Sequence, residues 1–290
     1  MAATEPQSTY ADQARDPLRV VRIKPSRSWL SLNLGEVWTY RELLYFLVWR
    51  DVKVRYKQTA VGAAWAVLQP LLQMVVLTLV FSVIAQMSSD GTPYPVFAYV
   101  GLLPWNFFSS ALSRCAGSVV GQANLVSKIY FPRLIMPVSA AVSGIVDFGI
   151  AFGILLAMMA AYGIAPGWNV LLLPIFIALA LITALSVGIW LAALNVRYRD
   201  VGYIVPLLVQ LWLFASPVAY PISRVPEKWR FLYSLNPMTG VVEGFRWALL
   251  PAKETPDFGV MAVSTLVLLA LLFGGIVHFK RMERTFADVV

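Results

Sequence analysis

The sequence predicts an all-α integral membrane protein with six transmembrane helices, an amphipathic interface helix before the first, and short re-entrant helices between the fifth and the sixth. The composition is the first observation: 59% of the residues are hydrophobic and only 13% are charged, too few charges for the surface of a soluble domain. The second is the spacing of the charges, which leaves stretches long enough for a helix of about 20 residues to cross the hydrocarbon core. The third is the one-sided placement of lysine and arginine.

Five uncharged stretches define the transmembrane helices. One of them, Phe148–Val196, is too long for a single crossing and contains Gly163, Pro166 and Gly167, which favour a turn. We therefore divide it into two spans and begin the first of them near Pro132. The predicted six-span transmembrane domain covers 60–290, with spans at about 61–85, 95–117, 134–161, 169–194, 203–221 and 258–279.

The positions of the basic residues predict the orientation in the membrane. Ten lysine and arginine residues precede the first span, and others follow the second, fourth and sixth, whereas the opposite loops carry none before the long segment after the fifth span. The positive-inside rule therefore places both termini in the cytoplasm. No signal-peptide core precedes the first span, so we expect the N-terminus to stay inside. The net charge of +8 follows from this topology and from attraction to anionic headgroups, and nucleic-acid binding is not expected.

The N-terminal region divides into two parts. Residues 1–35 are polar, contain three prolines and show no sustained periodicity, which predicts a flexible cytoplasmic arm. In 36–59, aromatic and leucine residues alternate with basic ones. This pattern predicts an amphipathic helix in the membrane interface, with its rings toward lipid and its basic groups toward headgroups or a cytosolic partner. A membrane anchor without any partner is the alternative.

The third span carries small and polar residues at four-residue spacing. Ser139, Ser143 and Asp147 follow this spacing, and Gly149 and Gly153 form a GxxxG pair, so we expect the helix to pack closely against other helices. An ionised carboxylate inside a membrane is costly and normally faces the bundle interior or water. Asp147 is therefore either part of a proton relay or, as we favour, a structural acid that receives hydrogen bonds from Ser143 or a neighbouring helix.

The segment Pro221–Asp257 is rich in aromatic residues, but its apolar stretches are too short to cross the membrane. We expect two short re-entrant helices that dip into the outer leaflet and keep Glu243 and Arg246 near water. These two residues lie three apart and can pair on one helical face.

The sequence lacks the residue sets of several common catalytic and metal-binding sites. With the single histidine His278 and the single cysteine Cys115, neither a serine–histidine protease nor a Cys/His metal site is expected. No GxxxxGK[ST] phosphate loop occurs, so any ATP must be hydrolysed by another polypeptide. Neither a filter-like sequence nor a ring of acids indicates an ion channel. Transport of a larger molecule, or a scaffold role, remains.

Seven short motifs follow one another in an order found in a known family. They are WRDVKVRYKQT at 49–59, GAAW at 62–65, LQPL at 68–71, GLLPWNFF at 101–108, KIYFPR at 128–133, RYRD at 197–200 and LNPM at 235–238. The series, over about 36–284, resembles the membrane permease of bacterial ABC exporters of polysaccharide, the family that exports O-antigen, capsular polysaccharide and teichoic acid. Each motif alone is weak, but the ordered set is specific.

The resemblance implies a non-enzymatic permease that moves a polysaccharide or lipid-linked glycan out of the cytoplasm across the bacterial inner membrane. It implies a homodimer around a central conduit, with two separate ATP-binding subunits that carry the ATP and Mg, and no cofactor on this chain. The interface helix and a short helix near 122–128 would receive the motion of the ATPase. The coupling residues would be Arg50, Asp51, Arg55, Tyr56, Lys128 and Arg133. A drug or lipid exporter of the same general fold, or a scaffold, is the alternative.

The substrate path is expected to be lined by aromatic rings, which offer flat contact to the C–H faces of sugars, whereas rows of charge would trap or exclude a polymer. Gln69 and Gln73, four apart on the first span, could meet the hydroxyl groups. For any single aromatic residue, an anchor in lipid or at the interface is the alternative. The candidates are Trp65, Tyr99, Trp105, Phe107, Phe108, Trp212, Phe214 and Tyr220.

Overall fold

The computed structural model describes residues 34–57, 62–87, 89, 91–128, 130–251 and 256–286. These residues form helices and turns without any strand. The predicted arm lies outside the described residues up to position 33, as does the end of the predicted interface helix at 58–59. The α-helices are α1 Leu34–Thr39, α2 Arg41–Lys57, α3 Gly62–Leu77, α4 Tyr94–Gly121, α5 Ala123–Lys128, α6 Ile135–Val142, α7 Ile145–Ala161, α8 Leu173–Arg197, α9 Val201–Phe214, α10 Glu227–Ser234, α11 Pro237–Leu249 and α12 Phe258–Met282.

Five helical segments within the described part of the chain are long and apolar enough to cross a membrane. The first joins α3 to a π-helical turn at Thr78–Ile84, and the third joins α6 to α7. The fifth predicted crossing, at 203–221, corresponds to α9, which has 14 residues and a length of about 21 Å, shorter than a hydrocarbon core of about 30 Å. The all-helical membrane fold is confirmed, and the crossing at 203–221, and with it the total of six, stays a prediction.

α4 is the central helix of the bundle. It packs along α8 and also contacts α3, α6, α7, α9 and α11. Aromatic and branched side chains of α4, including Val96, Tyr99, Leu103 and Phe108, are buried in the main core. The helix begins after Pro93, with Pro95 near its start where a missing N–H costs no hydrogen bond.

A second hydrophobic cluster closes one end of the bundle. It joins Leu47 of α2, Phe131, Ile189 of α8, Phe279 of α12 and Phe286. The backbone N–H of Arg133 donates to the Glu283 carboxylate at 3.1 Å, and its guanidinium donates to the Glu283 carbonyl. We call this the basic end, because Lys128, Arg133, Arg197 and Lys280 lie here on neighbouring elements.

The helix predicted before the first span is present as α2, preceded by the short α1, and its place in the membrane interface stays a prediction. Leu43, Leu44 and Leu47 turn toward the second cluster, and α2 packs on α6. Trp38, Tyr45, Phe46 and Trp49 lie on the exposed side. The aromatic rings are therefore free to meet lipid, as expected for a helix in the membrane interface.

The region predicted to be re-entrant contains two helices, α10 and α11. Glu243 and Arg246 pair at 3.0 Å, which confirms the predicted ion pair. The expectation that Arg246 stays near water is wrong, because Arg246 is only 7% exposed. Its guanidinium donates to the carbonyls of Val218 at 2.8 Å and Tyr220 at 3.2 Å and covers the ring of Phe97. These acceptors replace water as its partners.

The third predicted span is interrupted by a turn at Ser143–Gly144 between α6 and α7. Gly149 and Gly153 lie on an exposed face, and a Cβ atom added to either would meet nothing within 4 Å. The close packing expected at this GxxxG pair is therefore not made within the described part of this chain.

Candidate functional site

A groove of about 640 Å³ opens between α2, α3, α4 and α7, in the half of the bundle nearer the basic end. Its volume lies in the range typical of small-molecule sites. One part of its wall is charged or polar, and the rest is apolar. The residues that line it are Arg55, Tyr56, Trp65, Ala66, Gln69, Pro70, Leu103, Asn106, Phe107, Ser109, Ser110, Arg114, Gly144, Asp147, Phe148 and Ala151.

Asp147 is the centre of the charged part of the groove. Arg55 of α2 donates a hydrogen bond to one carboxylate oxygen, and Tyr56 donates to the other. Ser143 does not bind the carboxylate; its hydroxyl accepts from Arg55 at 3.3 Å and donates to the carbonyl of Ala140. The structural role that we favoured for Asp147 is thus supported, with α2 as the neighbouring helix that supplies the donors.

Tyr56 acts in this cluster as a neutral donor. Burial, followed by its hydrogen bond to Asp147, raises the pKa of the Tyr56 hydroxyl to about 12. The phenol therefore keeps its proton at neutral pH, and α2 is held to α7 by one neutral and one charged hydrogen bond.

Arg114 of α4 completes the cluster. Its Nη1 lies 3.6 Å from Asp147 Oδ2, while Nε donates to the carbonyl of Ala140 at 3.2 Å and Nη2 to the hydroxyl of Ser110 at 3.2 Å. Gly144 makes this position possible, because a Cβ atom there would collide with the guanidinium. Two helices and the turn between α6 and α7 thus fix the plane of the Arg114 side chain.

Sequence reasoning missed Arg114, Ser110 and Asn106 as site residues. They lie four residues apart on α4 and line the groove together. The amide nitrogen of Asn106 is buried and has no hydrogen-bond partner. The four-residue spacing of polar groups near the end of the second span was the available signal.

Of the predicted path residues, Trp65, Gln69 and Phe107 come together in this groove. Trp65 lies at the rim with 58% of its surface exposed, whereas Phe107 is almost fully buried and forms part of the wall. Gln73, one turn beyond Gln69, does not line the groove, and its side-chain oxygen is buried without a hydrogen-bond partner.

The other predicted path residues lie elsewhere. Tyr99, Trp105 and Phe108 are buried in the core of this chain, and the Tyr99 hydroxyl donates to the carbonyl of Ala151 at 3.2 Å. Trp212 donates to Asn236 at 3.0 Å and meets Phe108 edge to face. Tyr220 pairs with Tyr233 at 2.8 Å, and Phe214 is exposed on α9. The role of all these residues in a path stays a prediction.

The residues predicted to couple to an ATPase fall into four places. Arg50 pairs with Asp51 at 2.8 Å on the exposed side of α2, and Lys128 is exposed at the end of α5. Arg133 holds the segment after α12 through Glu283. Arg55 and Tyr56 point inward to Asp147. Their role in coupling stays a prediction. Within the part of the chain that the structure describes, no three His, Cys, Asp or Glu side chains could hold a metal ion.

Comparison with known proteins gives a consistent result. The sequence pattern of the ABC-2 type transporter family matches residues 42–250, which include every residue of the groove. The O-antigen export system permease protein RfbA of Myxococcus xanthus is 32% identical over 88% of this chain and 98% of its own length. RfbA of Klebsiella pneumoniae is 25% identical over 90% and 98%, and the polysialic acid transport protein KpsM of Escherichia coli is 24% identical over 81% and 91%.

Proposed function

The chain belongs to the ABC-2 type transporter family, and from that premise we propose that it is the permease subunit of an ATP-driven exporter that moves a polysaccharide or lipid-linked glycan from the cytoplasm across the bacterial inner membrane. The observation that carries the proposal is the match along nearly the full length of a protein named for O-antigen export. A match to a protein named for polysialic acid transport agrees with it.

The groove supports this substrate class. Trp65 offers an accessible ring at the rim, which suits the C–H face of a sugar. Gln69 and Asn106 supply amide groups on the same wall, which suit hydroxyl groups. A transported polymer must be held weakly enough to slide, and these neutral contacts are individually weak.

The ATP-hydrolysing partners belong to the proposal as well. The sequence has no phosphate loop, so two separate ATP-binding subunits would bind ATP and Mg and dock at the basic end. The exposed Arg50, which is paired with Asp51, and the exposed Lys128 are suited to that contact, where charged pairs fix the alignment of the two subunits. Two copies of the permease would form the conduit, with the exposed faces of α3 and α9 toward each other or toward lipid.

Orientation can be tested separately. We propose that the basic end faces the cytoplasm and that α10 faces the periplasm, from the distribution of lysine and arginine. In a Cys115→Ser background, an impermeant thiol reagent added outside should label a cysteine at Trp229 and leave one at Lys128 unlabelled until the cells are opened. Equal labelling of both from outside would overturn this orientation.

The function itself is tested by deletion and complementation in the native strain. Loss of this gene should abolish surface polysaccharide and leave polymer inside the cell, and loss of the partner ATPase should give the same result. The plasmid-borne gene should restore export. Unchanged surface polymer together with raised sensitivity to toxic compounds would instead identify a drug exporter of the same fold.

A further inference from the structure

The charged part of the groove holds two arginine residues around one carboxylate. Arg55 and Arg114 contribute two positive charges and Asp147 contributes one negative charge. A second acid, Asp51, lies near enough to act on Arg114 electrostatically, but its hydrogen bond is to Arg50 at 2.8 Å. A charge in a low-dielectric surrounding is costly unless it is paired, and this cluster lies among membrane-crossing helices.

Arg114 is the arginine of this pair that makes no direct hydrogen bond to Asp147. Both oxygens of Asp147 already accept hydrogen bonds from Arg55 and Tyr56, and Nη1 of Arg114 remains 3.6 Å away, beyond hydrogen-bond distance. A guanidinium group has five N–H donors, and two of those on Arg114 are used by Ala140 and Ser110. Guanidinium donors of Arg114, whose side chain is 25% exposed, are therefore left at the wall of the groove.

The groove offers a second donor and an apolar region beside this charge. The amide nitrogen of Asn106 is buried without a hydrogen-bond partner, two turns along α4 from Arg114. Leu103, Phe107 and Phe148 form the apolar wall beyond it. A ligand with one anionic oxygen-rich group and an adjoining apolar body would satisfy both parts.

We infer that Arg114, with Arg55 and Asn106 beside it, binds the phosphate group of an anionic amphiphile in this groove. Arginine suits phosphate because its planar donors match two oxygens at once. The amphiphile has two sources, a phospholipid of the bilayer or a phosphate-linked lipid on the glycan itself. Its identification with the exported glycan rests on the proposed function, whereas the binding site does not.

Lipid binding to the purified full-length chain tests the site directly. Native mass spectrometry should show phosphatidylglycerol, with net charge −1, bound at least about tenfold more tightly than phosphatidylcholine, whose net charge is zero. Arg114→Gln should remove this preference, and Arg114→Lys should retain part of it. Arg199→Gln is the matched control, because Arg199 is exposed and does not line the groove. A preference that survives Arg114→Gln, or that falls equally in Arg199→Gln, would overturn the site.

Gly144→Ala tests the same site while the arginine is kept. The added methyl group displaces the guanidinium, so the preference for phosphatidylglycerol should fall even though the net charge is unchanged. Inorganic phosphate at millimolar concentration should not displace the lipid, because it lacks the apolar body. Displacement by phosphate alone would contradict an amphiphilic ligand.

Export separates the two sources. If the amphiphile is the lipid-linked glycan, Arg114→Gln should reduce surface polymer at least tenfold and Arg199→Gln should leave it unchanged. Loss of lipid preference with wild-type export would assign the site to a bilayer lipid and remove it from the substrate path, while the proposed function would stand. Failure of the gene deletion to affect surface polymer would remove the proposed function and leave the lipid-binding result intact.

Discussion

The first and second crossing segments of this protein have opposite relations between composition and burial. The segment Ala64–Ile84, built on α3, is the more apolar of the two, yet only 11% of its most apolar stretch is buried. α4 is less apolar and contains Asn106, Arg114 and several serines, yet 78% of its corresponding stretch is buried. In water the more apolar segment would form the core.

The difference shows what decides burial in a membrane. Lipid is as apolar as leucine, so apolar composition gives a helix no reason to leave lipid, whereas tight packing and hydrogen bonds between helices do. α4 supplies these through Tyr99, bound to the Ala151 carbonyl, and Arg114, bound to Ala140. The groove lies where the exposed helix and the buried helix meet.

The largest effect is expected from removing a buried aromatic ring of α4. Phe108→Ala should lower the free energy of unfolding by about 3–5 kcal/mol, because Phe108 is fully buried and packs against Trp105 and Trp212. The apparent melting temperature in detergent measures it. Trp65→Ala on α3 is the matched variant and should leave that temperature nearly unchanged while reducing polymer export.

A reversed result would break the comparison. If Trp65→Ala melted much earlier than the wild type, its ring would be packed rather than accessible. If Phe108→Ala kept normal stability and lost only export, the buried aromatic residues of α4 would belong to the path, as the sequence alone suggested.

The charge cluster between the two helices should give the next largest effect. Asp147→Asn removes a charged acceptor from Arg55 and Arg114 and should cost about 1.5–3 kcal/mol. It should also loosen α2, so limited proteolysis within α2 should become faster. Asp200→Asn is the control, since Asp200 is exposed before α9, its side chain makes no capping hydrogen bond there, and its change should cost less than about 0.5 kcal/mol. Equal effects of both variants would show that Asp147 does not hold α2.

A glycine pair on α4 should give a smaller difference. A Cβ atom on Gly101 would lie 2.8 Å from the carbonyl oxygen of Val218, which is also held by Arg246. Gly101→Ala should therefore lower stability by about 1–3 kcal/mol. Gly117→Ala on the same helix meets nothing within 4 Å and should be neutral or slightly stabilising. A melting temperature unchanged by Gly101→Ala would mean that the contact with Val218 is loose.

The sequence predicted the crossing segments well, because length and lack of charge are local properties. At the fifth predicted span, 203–221, the observed helix is shorter than the span. The helix ends at Phe214 since Pro217 has no N–H to donate and the carbonyls of Val218 and Tyr220 bind the guanidinium of Arg246. That arginine lies 26 or more residues away, so no local pattern contains the reason for the break.

The site was only partly predictable. Trp65, Gln69 and Phe107 were named from their chemistry and meet in the groove. Arg114 was missed because a single arginine near the end of an apolar stretch looks like the boundary of a span. Its role in the groove depends on Asp147, which follows 33 positions later. Only the packing of α4 against α6 and α7 brings the two residues together.

The smallest effect on stability is expected from a substitution on the exposed face of α3. Its size shows whether lipid or a second copy of the chain covers that face. Leu72 is 53% exposed, so Leu72→Ala should change stability by less than about 0.5 kcal/mol if lipid surrounds it. Leu102→Ala is the matched change on α4, where the side chain is 1% exposed, and should cost about 2–5 kcal/mol. A clear loss for Leu72→Ala, together with a lower dimer fraction in cross-linking, would show that a second copy packs on α3. The comparison would then separate a helix buried within one chain from a helix buried between two.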